Sequence, residues 1–362
     1  MLKTVLKLLA GLFSLFILAF GGLLIFSTLT DYSPKAGSTE DLAIEGPASQ
    51  KQVSDTLTLL IWNVGYGGLG AEMDFFNDGG KGTRPDEDLY SKYLSGIKNM
   101  VNSQSDSTDF ILIQEVDRDS KRSYNVDQVK EIAGTAAGFS YAFALNYDVK
   151  FVPVPFGLPY TPYGKTYGGL MSLSKVSPVS ATRVQYPGGF SWPTGIYMLD
   201  RCALEFRYTT PWGWDLIIVN THNTAYDATG EIKKVEMEFI KERYEAEVKR
   251  GNKVIVGGDW NQVPPSWDSK HFNSQMPNGY TPQAISEDML PDGFSVWFDP
   301  TYATNRSNDK AYNSESTYTT LIDYFITSPG IEVLSVKTIN DDFKYSDHQP
   351  VRLKVVVHKK EL

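Results

Sequence analysis

Apolar residues fall along the chain in three patterns, and each predicts a different element. Residues 8–26 read LLAGLFSLFILAFGGLLIF without a charge, long enough to cross a bilayer as one helix. Short continuous apolar runs follow: TLTLLIW (56–62), FILIQ (110–114), GGLMSLS (168–174), DLIIVN (215–220), VIVGG (254–258), LIDYFIT (321–327) and VRLKVVV (351–357). Runs of this length between turn-forming residues predict strands buried on both faces. The third pattern has a period of three to four. Leu89, Tyr90, Tyr93, Leu94, Ile97, Met100 and Val101 mark one face of a helix behind Pro85, and Ile232, Val235, Phe239 and Ile240 mark another. A shorter helix is expected over 126–137. Helices and strands interleaved in this way predict an α/β sandwich.

The first apolar run also carries an address. Lys3 and Lys7 precede it, Asp31 follows it, and FSTLTDY (26–32) offers no small-residue cleavage pattern. An uncleaved anchor is expected, with its N-terminal end in the cytoplasm and everything after Thr30 across the membrane. The polar stretch 33–52, SPKAGSTEDLAIEGPASQKQ, reads as a tether. The expected organisation is an anchor over 1–30, a polar linker over 31–54 and one globular domain over 55–358.

Charge and cysteine content narrow the chemistry. With a net charge of -9, the chain lacks the broad basic surface of a protein that holds nucleic acid by charge alone, although bound cations can replace such a surface. Cys202 is the single cysteine, so an internal disulfide and a thiolate zinc cluster are both excluded.

The residues that leave the predicted strands are polar. LLIWN ends in Asn63, ILIQE in Glu115, IIVNTH in His222 and VIVGGDWN in Asp259 and Asn261, while LIDYF holds Asp323 and YSDH holds Asp347 and His348. An ionised carboxylate directly behind the apolar ILI run costs free energy unless a cation or donor answers it, which makes Glu115 a candidate metal ligand. An oxygen-only ligand set suits magnesium, calcium or manganese. Two glycines ahead of Asp259 let the chain turn sharply and bring Asp259 and Asn261 to one edge, a pair able to hold and deprotonate a water. Asp323 is available to orient the imidazole of His348 through its other ring nitrogen.

In their order, LLIWNVG, ILIQEVD, GGLMSLSKVSPV, LIIVNTHNTAYD, VIVGGDWNQVP, LIDYFITS and YSDHQPVRL resemble the endonuclease/exonuclease/phosphatase superfamily, the fold of deoxyribonuclease I-like enzymes. The resemblance implies a four-layered α/β sandwich of two packed mixed sheets flanked by helices, here behind an N-terminal transmembrane helix. It implies that Glu115 binds the metal with help from Asn63, with Asp347 a further metal or leaving-group partner. It also implies that Asp259 positions or deprotonates water, that Asn261 contacts the scissile phosphate, and that His222 and the His348–Asp323 pair stabilise phosphate charge and share acid–base work. Gly65 stands where the repair nucleases carry an acid, so neither a second metal position nor abasic-site specificity follows.

Substrate choice is expected in aromatic loops at 147–167, 187–197 and 211–214, where rings can stack bases or enter a membrane interface. Tyr167 is the candidate substrate contact there. Lys81 and Arg84 offer positive charge ahead of the first amphipathic helix. The expected function is a Mg2+-dependent (or Mn2+- or Ca2+-dependent) phosphoric-ester hydrolase, foremost a phosphodiesterase or endonuclease acting on nucleic acid at the outer face of a membrane. Two alternatives are a sphingomyelinase-like phospholipid phosphodiesterase and a catalytically silent, membrane-tethered binding module. No protein partner is expected.

Overall fold

A computed structural model describes residues 2–49, 51–155, 161–265, 267, 272 and 283–357. Its helices are α1 (Leu2–Leu29), α2 (Glu87–Ser105), α3 (Gln128–Ala133) and α4 (Glu231–Lys249). In chain order the strands are β1 (Thr39–Asp41), β2 (Thr56–Asn63), β3 (Phe110–Asp117), β4 (Ser140–Val152), β5 (Gly164–Ser174), β6 (Ser180–Gln185), β7 (Cys202–Thr209), β8 (Asp215–His222), β9 (Lys253–Asp259), β10 (Ser295–Trp297), β11 (Asn305–Arg306), β12 (Thr319–Thr320), β13 (Asp323–Thr327), β14 (Ile331–Thr338) and β15 (Val351–Val357).

One sheet has the order β1-β6-β7-β8-β9-β13-β10 and the other β14-β15-β2-β3-β5-β4. Each is antiparallel except for one parallel pair, β8 with β9 and β2 with β3. A parallel pair needs a crossover, which α4 and α2 supply. Both pairs therefore end at the same kind of rim, where Asn63 and Glu115 leave one sheet and His222 and Asp259 leave the other. Antiparallel β13 begins at that rim, with Asp323 in register opposite Asp259. Asp347 and His348 reach it just ahead of β15, whose first residue pairs with Ile61.

Both faces of the central strands are covered, which is why they read as continuous apolar runs. Leu59, Ile61, Leu112, Ile218, Ile255 and Phe325 meet between the sheets. Trp62, Ile111 and Ile113 face outward onto Ile97 and Val101 of α2 and Ile132 of α3, while Val219 and Val256 face Met237 and Ile240 of α4. The result is the four-layered sandwich. Full burial of each such side chain contributes about 1.5–3 kcal/mol. A polar clamp crosses this interior: Gln114 Nε2 donates to Asn220 Oδ1 at 2.6 Å, and Asn220 Nδ2 donates to the carbonyls of Ile113 and Met171. These two strand-end amides tie the sheets together just below the rim.

Three expectations change. The polar stretch after α1 is not a free tether, because β1 adds to the edge of β6 and Glu45 exchanges backbone hydrogen bonds with Tyr141. Much of 147–167 is strand, since β4 runs to Val152 and β5 starts at Gly164; Tyr147 and Val149 alternate inward, a register shift returns Val152 to the interior, and Pro153 and Pro155 follow the strand. Residues 156–160 of that stretch lie outside the described residues. The glycines before Asp259 do not turn the chain but remain in β9, where a Cβ on Gly258 would meet the carbonyl of Thr221 at 2.0 Å. The aromatic tip at 211–214 is a hairpin end between β7 and β8, with Trp212 against Trp214 at 4.9 Å between ring centroids.

Candidate active site

Glu115 and Asn261 stand at the rim in left-handed backbone conformations, with φ of 56° and 50°. For residues with a Cβ such conformations cost about 1–3 kcal/mol. At Glu115 the cause is a bulge, because β3 slips register against β5 between Ile113 and Val116. A bulge re-aims one side chain, and here it turns the carboxylate into the cleft, where 24% of the side chain is exposed. Burial pushes the Glu115 carboxyl above its ordinary pKa, against the pull of Arg122.

Asn63 bridges two acids. Its Nδ2 donates to Glu115 Oε1 at 3.2 Å and to Asp259 Oδ2 at 2.9 Å, while its Oδ1 accepts from the Gly65 N–H. Asn63, expected to help bind the metal, here has its oxygen accepting from backbone and its N–H groups toward the two acids. Gly65 has φ +49°, and a Cβ there would lie 2.9 Å from Asp347 Oδ1. The left-handed backbone here would strain any side chain.

The acid–base corner is built across β9 and β13. His348 Nδ1 shares a 2.8 Å hydrogen bond with Asp323 Oδ2, and His348 Nε2 lies 3.7 Å from Asp259 Oδ2. Burial alone drives an imidazole pKa down, but the Asp323 and Asp259 carboxylates outweigh it and hold His348 well above its usual value. Asp259 is pushed up to about 6 by burial, with His348 opposing. His222 behaves oppositely: burial, with Arg201 and His348 nearby, holds it well below 6.5. Its Nε2 is 3.5 Å from Asp259 Oδ2 and 3.8 Å from Glu115 Oε1, and its buried Nδ1 has no hydrogen-bond partner among the described residues. The two imidazoles are thus pushed in opposite directions, and His348 Nε2 also lies 3.0 Å from Asn305 Nδ2.

Asn261 donates from Nδ2 to the carbonyl of Asn223 at 2.9 Å, which leaves its second N–H for a ligand. Asp347 accepts from Asn308 Nδ2 at 2.7 Å. Glu115, His222, Asp259, Asn261, Asp347 and His348 all line one cleft of about 430 Å³. Asp323 sits beneath it, fully buried.

The donor set fits a divalent cation. Four carboxylates converge beside one imidazole, and Asn63 is the sole protein donor to Glu115 among the described residues. Arginines offset part of this acidity. Arg122 is bidentate to Asp117, whereas Arg306, held by the neutral carbonyls of Leu69, Gly70 and Met73, keeps its charge near Asp347, and Arg201 also lines the cleft. Oxygen ligands from Glu115 and Asp347 suit a hard cation such as Mg2+. Asp259, Asp323 and His348 also bring ligand atoms within 4.8 Å of one another, but the ring and Asp323 are already hydrogen-bonded.

Tyr167 is not brought to this cleft. Along β5 the buried neighbour Thr166 faces inward, so Tyr167 faces out, beside Phe143 and near Arg118, Asp119 and Lys165. Strand alternation corrects that assignment. Lys81 and Arg84 do not line the cleft either; Arg84 bonds the Lys121 carbonyl and lies over the Tyr124 ring.

Tyr147, Tyr163 and Tyr197 of the walls fall in the aromatic stretches expected to set substrate choice, whereas Tyr66, Phe75, Phe76, Asp78, Arg122, Arg201 and Tyr226 are not singled out by sequence patterns. Tyr66, Phe75, Phe76, Tyr147 and Tyr163 form an aromatic wall around Arg122, whose guanidinium carbon is 3.9 Å from the centre of Tyr66. Arg201 lines the cleft near His222, with a buried Nη1 that has no hydrogen-bond partner among the described residues. Asp78 and Tyr226 join across the mouth by a 2.9 Å hydrogen bond. Most of these residues sit in loops or turns, and Tyr147 lies within β4.

Residues 60–348 match the sequence model of the Endonuclease/Exonuclease/phosphatase family. Solved structures of the same fold include an endonuclease/exonuclease/phosphatase from Beutenbergia cavernae, with a TM-score of 0.51 and 16% identity over 83% of this chain and 72% of that one. Another, from Bacteroides vulgatus, gives a TM-score of 0.52 and 14% identity over 84% and 99%. ANGEL2, a 2',3'-cyclic phosphatase, gives 0.51 and 15% over 87% and 98%. Comparison with curated protein sequences gives no match.

Proposed function

Because the chain belongs to the endonuclease/exonuclease/phosphatase family of phosphoester hydrolases, we propose that it is a divalent-metal-dependent phosphodiesterase acting on one nucleotide unit at a time. The observation that carries this reading is the convergence of Glu115, His222, Asp259, Asp323 and His348 from both sheets into one cleft. Its size, about 430 Å³, suits a nucleotide or a single-stranded end. Aromatic walls offer stacking surfaces for a base, whereas a duplex would need an open basic track.

In this proposal Glu115 and Asp347 would hold a divalent cation, which would supply Lewis-acid polarisation of a phosphoryl oxygen and offset the negative charge of the cleft. Asp259, aimed by Asn63 and the Asn261 N–H, accepts a proton from the attacking water as the new P–O bond forms. His348, charged and held by Asp323, protonates the leaving oxygen as the old P–O bond breaks. The Asp259 to His348 separation of 3.7 Å then lets the proton return. Neutral His222 and the free Asn261 N–H donate to the non-bridging oxygens, and the unpartnered Arg201 nitrogen meets a further anionic group of the substrate.

The full chain in detergent micelles, assayed with Mg2+ on short single-stranded oligonucleotides, plasmid duplex and phospholipid vesicles, tests this. Faster EDTA-sensitive cleavage of the oligonucleotide supports the reading, and faster cleavage of plasmid contradicts it. Preferential lipid hydrolysis would instead favour the phospholipid phosphodiesterase reading. One observation supports that second reading, namely that the end of α1 rests on the loop lining the cleft. In either case α1 is proposed as a retained anchor, with Lys3 and Lys7 on the cytoplasmic side and the domain outside.

A further inference from the structure

The last turn of α1 is bonded to the wall of the cleft. Tyr197 Oη donates to Ser27 Oγ at 3.1 Å, and Trp192 Nε1 donates to Thr28 Oγ1 at 3.1 Å. Just past the helix, Arg183 lies 5.5 Å from the ring centre of Tyr32. Ser27 is the buried residue of a helix whose other side chains are open or only half covered. Tyr197 closes a 3-10 turn, Thr194–Tyr197, and then lines the cleft together with Met198 and Leu199. The same loop thus touches both the end of the apolar helix and the space for substrate.

Little chain is free between helix and domain. Gly37 N already donates to the carbonyl of Gln185, eight residues after Leu29, a stretch that reaches about 28 Å at full extension. Trp192 adds an independent pointer. Its ring is 62% exposed while its N–H is bonded to the helix end, so an apolar face stands open at the level where α1 stops. Tryptophan favours that level of a bilayer, where an apolar ring and a polar edge are both served.

We propose that loop 187–197 seats on the lipid surface in which α1 is embedded, with Trp192 in the headgroup–acyl boundary, and so fixes the wall of the cleft at the membrane. This inference rests on the reading of α1 as a retained anchor. Its occupant is the bilayer itself. On this geometry substrate reaches the cleft along the membrane face.

The test uses the full chain reconstituted in phosphatidylcholine vesicles, carrying an environment-sensitive fluorophore after Leu18→Cys, Trp192→Cys or Leu334→Cys. Cys202 is buried and stays unlabelled. Leu334 is exposed on β14, the edge of its sheet opposite the β4 edge that α1 abuts. Lipids with brominated acyl chains are expected to quench positions 18 and 192 at least about twofold more than 334. Quenching at 18 without quenching at 192 overturns the seat and leaves the anchor standing. No quenching at 18 overturns the anchor and the seat with it, and equal quenching at all three positions also rejects the seat. A label-free measurement guards against a misfolded variant: the intrinsic fluorescence lost between wild type and Trp192→Phe is expected to be the part that brominated lipid quenches, and an unquenched difference rejects the proposal.

Discussion

The floor and the walls of the cleft are built from different parts of the fold. Asn63, His222 and Asp259 end strands, Asp323 opens one and Glu115 sits in a bulge near the end of β3, so their positions are set by sheets buried on both faces. Tyr66, Phe75, Phe76, Tyr197 and Arg201 come from the segments that join those elements. The floor is polar, acidic and tied by short hydrogen bonds; the walls are aromatic and hold arginines. A rigid scaffold can thus carry one reaction while its connecting segments set what is delivered to it. Damage to the floor should remove turnover for every substrate, and damage to a wall should change which substrate is preferred.

The largest effects belong to the floor. Asp259→Asn is expected to lower kcat by about 10³-fold or more on every phosphodiester, with Tm unchanged or raised, because a buried carboxyl is replaced by its neutral isostere. His348→Ala should cost about 10²–10⁴-fold. Single-turnover assays beside thermal melts separate this from unfolding, and a nearly active Asp259→Asn would end the assignment. Glu115→Gln should raise the half-saturating Mg2+ concentration by about 10–100-fold, read from activity against free metal; unchanged metal dependence would remove Glu115 from the ligand set.

Smaller effects are expected at the walls. Arg201→Met should raise KM by about tenfold for substrates with a second anionic group, equivalent to about 1.4 kcal/mol, and leave singly charged diesters nearly unaffected. Behind the floor, burial pushes Glu236 up to about 7, although it accepts hydrogen bonds from Thr224 and lies near Arg201 and Lys233. A carboxyl whose folded pKa is raised favours the fold when protonated. That contribution is present at acid pH and is lost as pH rises through about 7. Glu236→Gln should therefore match wild type at pH 5 and exceed it at pH 8.5 by about 1–3 kcal/mol, seen as a higher Tm. Equal pH profiles would contradict the placement of that carboxyl.

Sequence patterns made the floor legible because each of its residues directly follows or opens an apolar run, and order along the chain becomes order around the rim. They did not show that Asn63 turns N–H toward the acids, since the choice is made by the Gly65 N–H across a turn. Nor did they show that Gln114 and Asn220 clamp the sheets. The walls were legible only as aromatic stretches, and not as a particular set of rings. Tyr66, Phe76 and Tyr163 lie far apart in sequence, and their rings meet only when separate connections fold over one edge. Tyr167 was misplaced because a stretch rich in aromatics and proline concealed the period-two alternation of β4 and β5. The stretch after α1 looked like a tether because polar composition alone does not reveal edge pairing such as that of β1 with β6.

The division between floor and walls is tested most directly by two phosphodiesters with the same p-nitrophenyl leaving group, one bearing thymidine and one bearing methyl, measured on wild type and on Phe76→Ala. Phe76 lines the cleft and packs on Tyr163 at 5.7 Å between ring centroids. The account predicts that wild type prefers the thymidine ester by about 10²-fold in kcat/KM, and that Phe76→Ala loses about tenfold on that ester while hydrolysing the methyl ester as before. No preference in wild type, or equal losses on both esters, would contradict it.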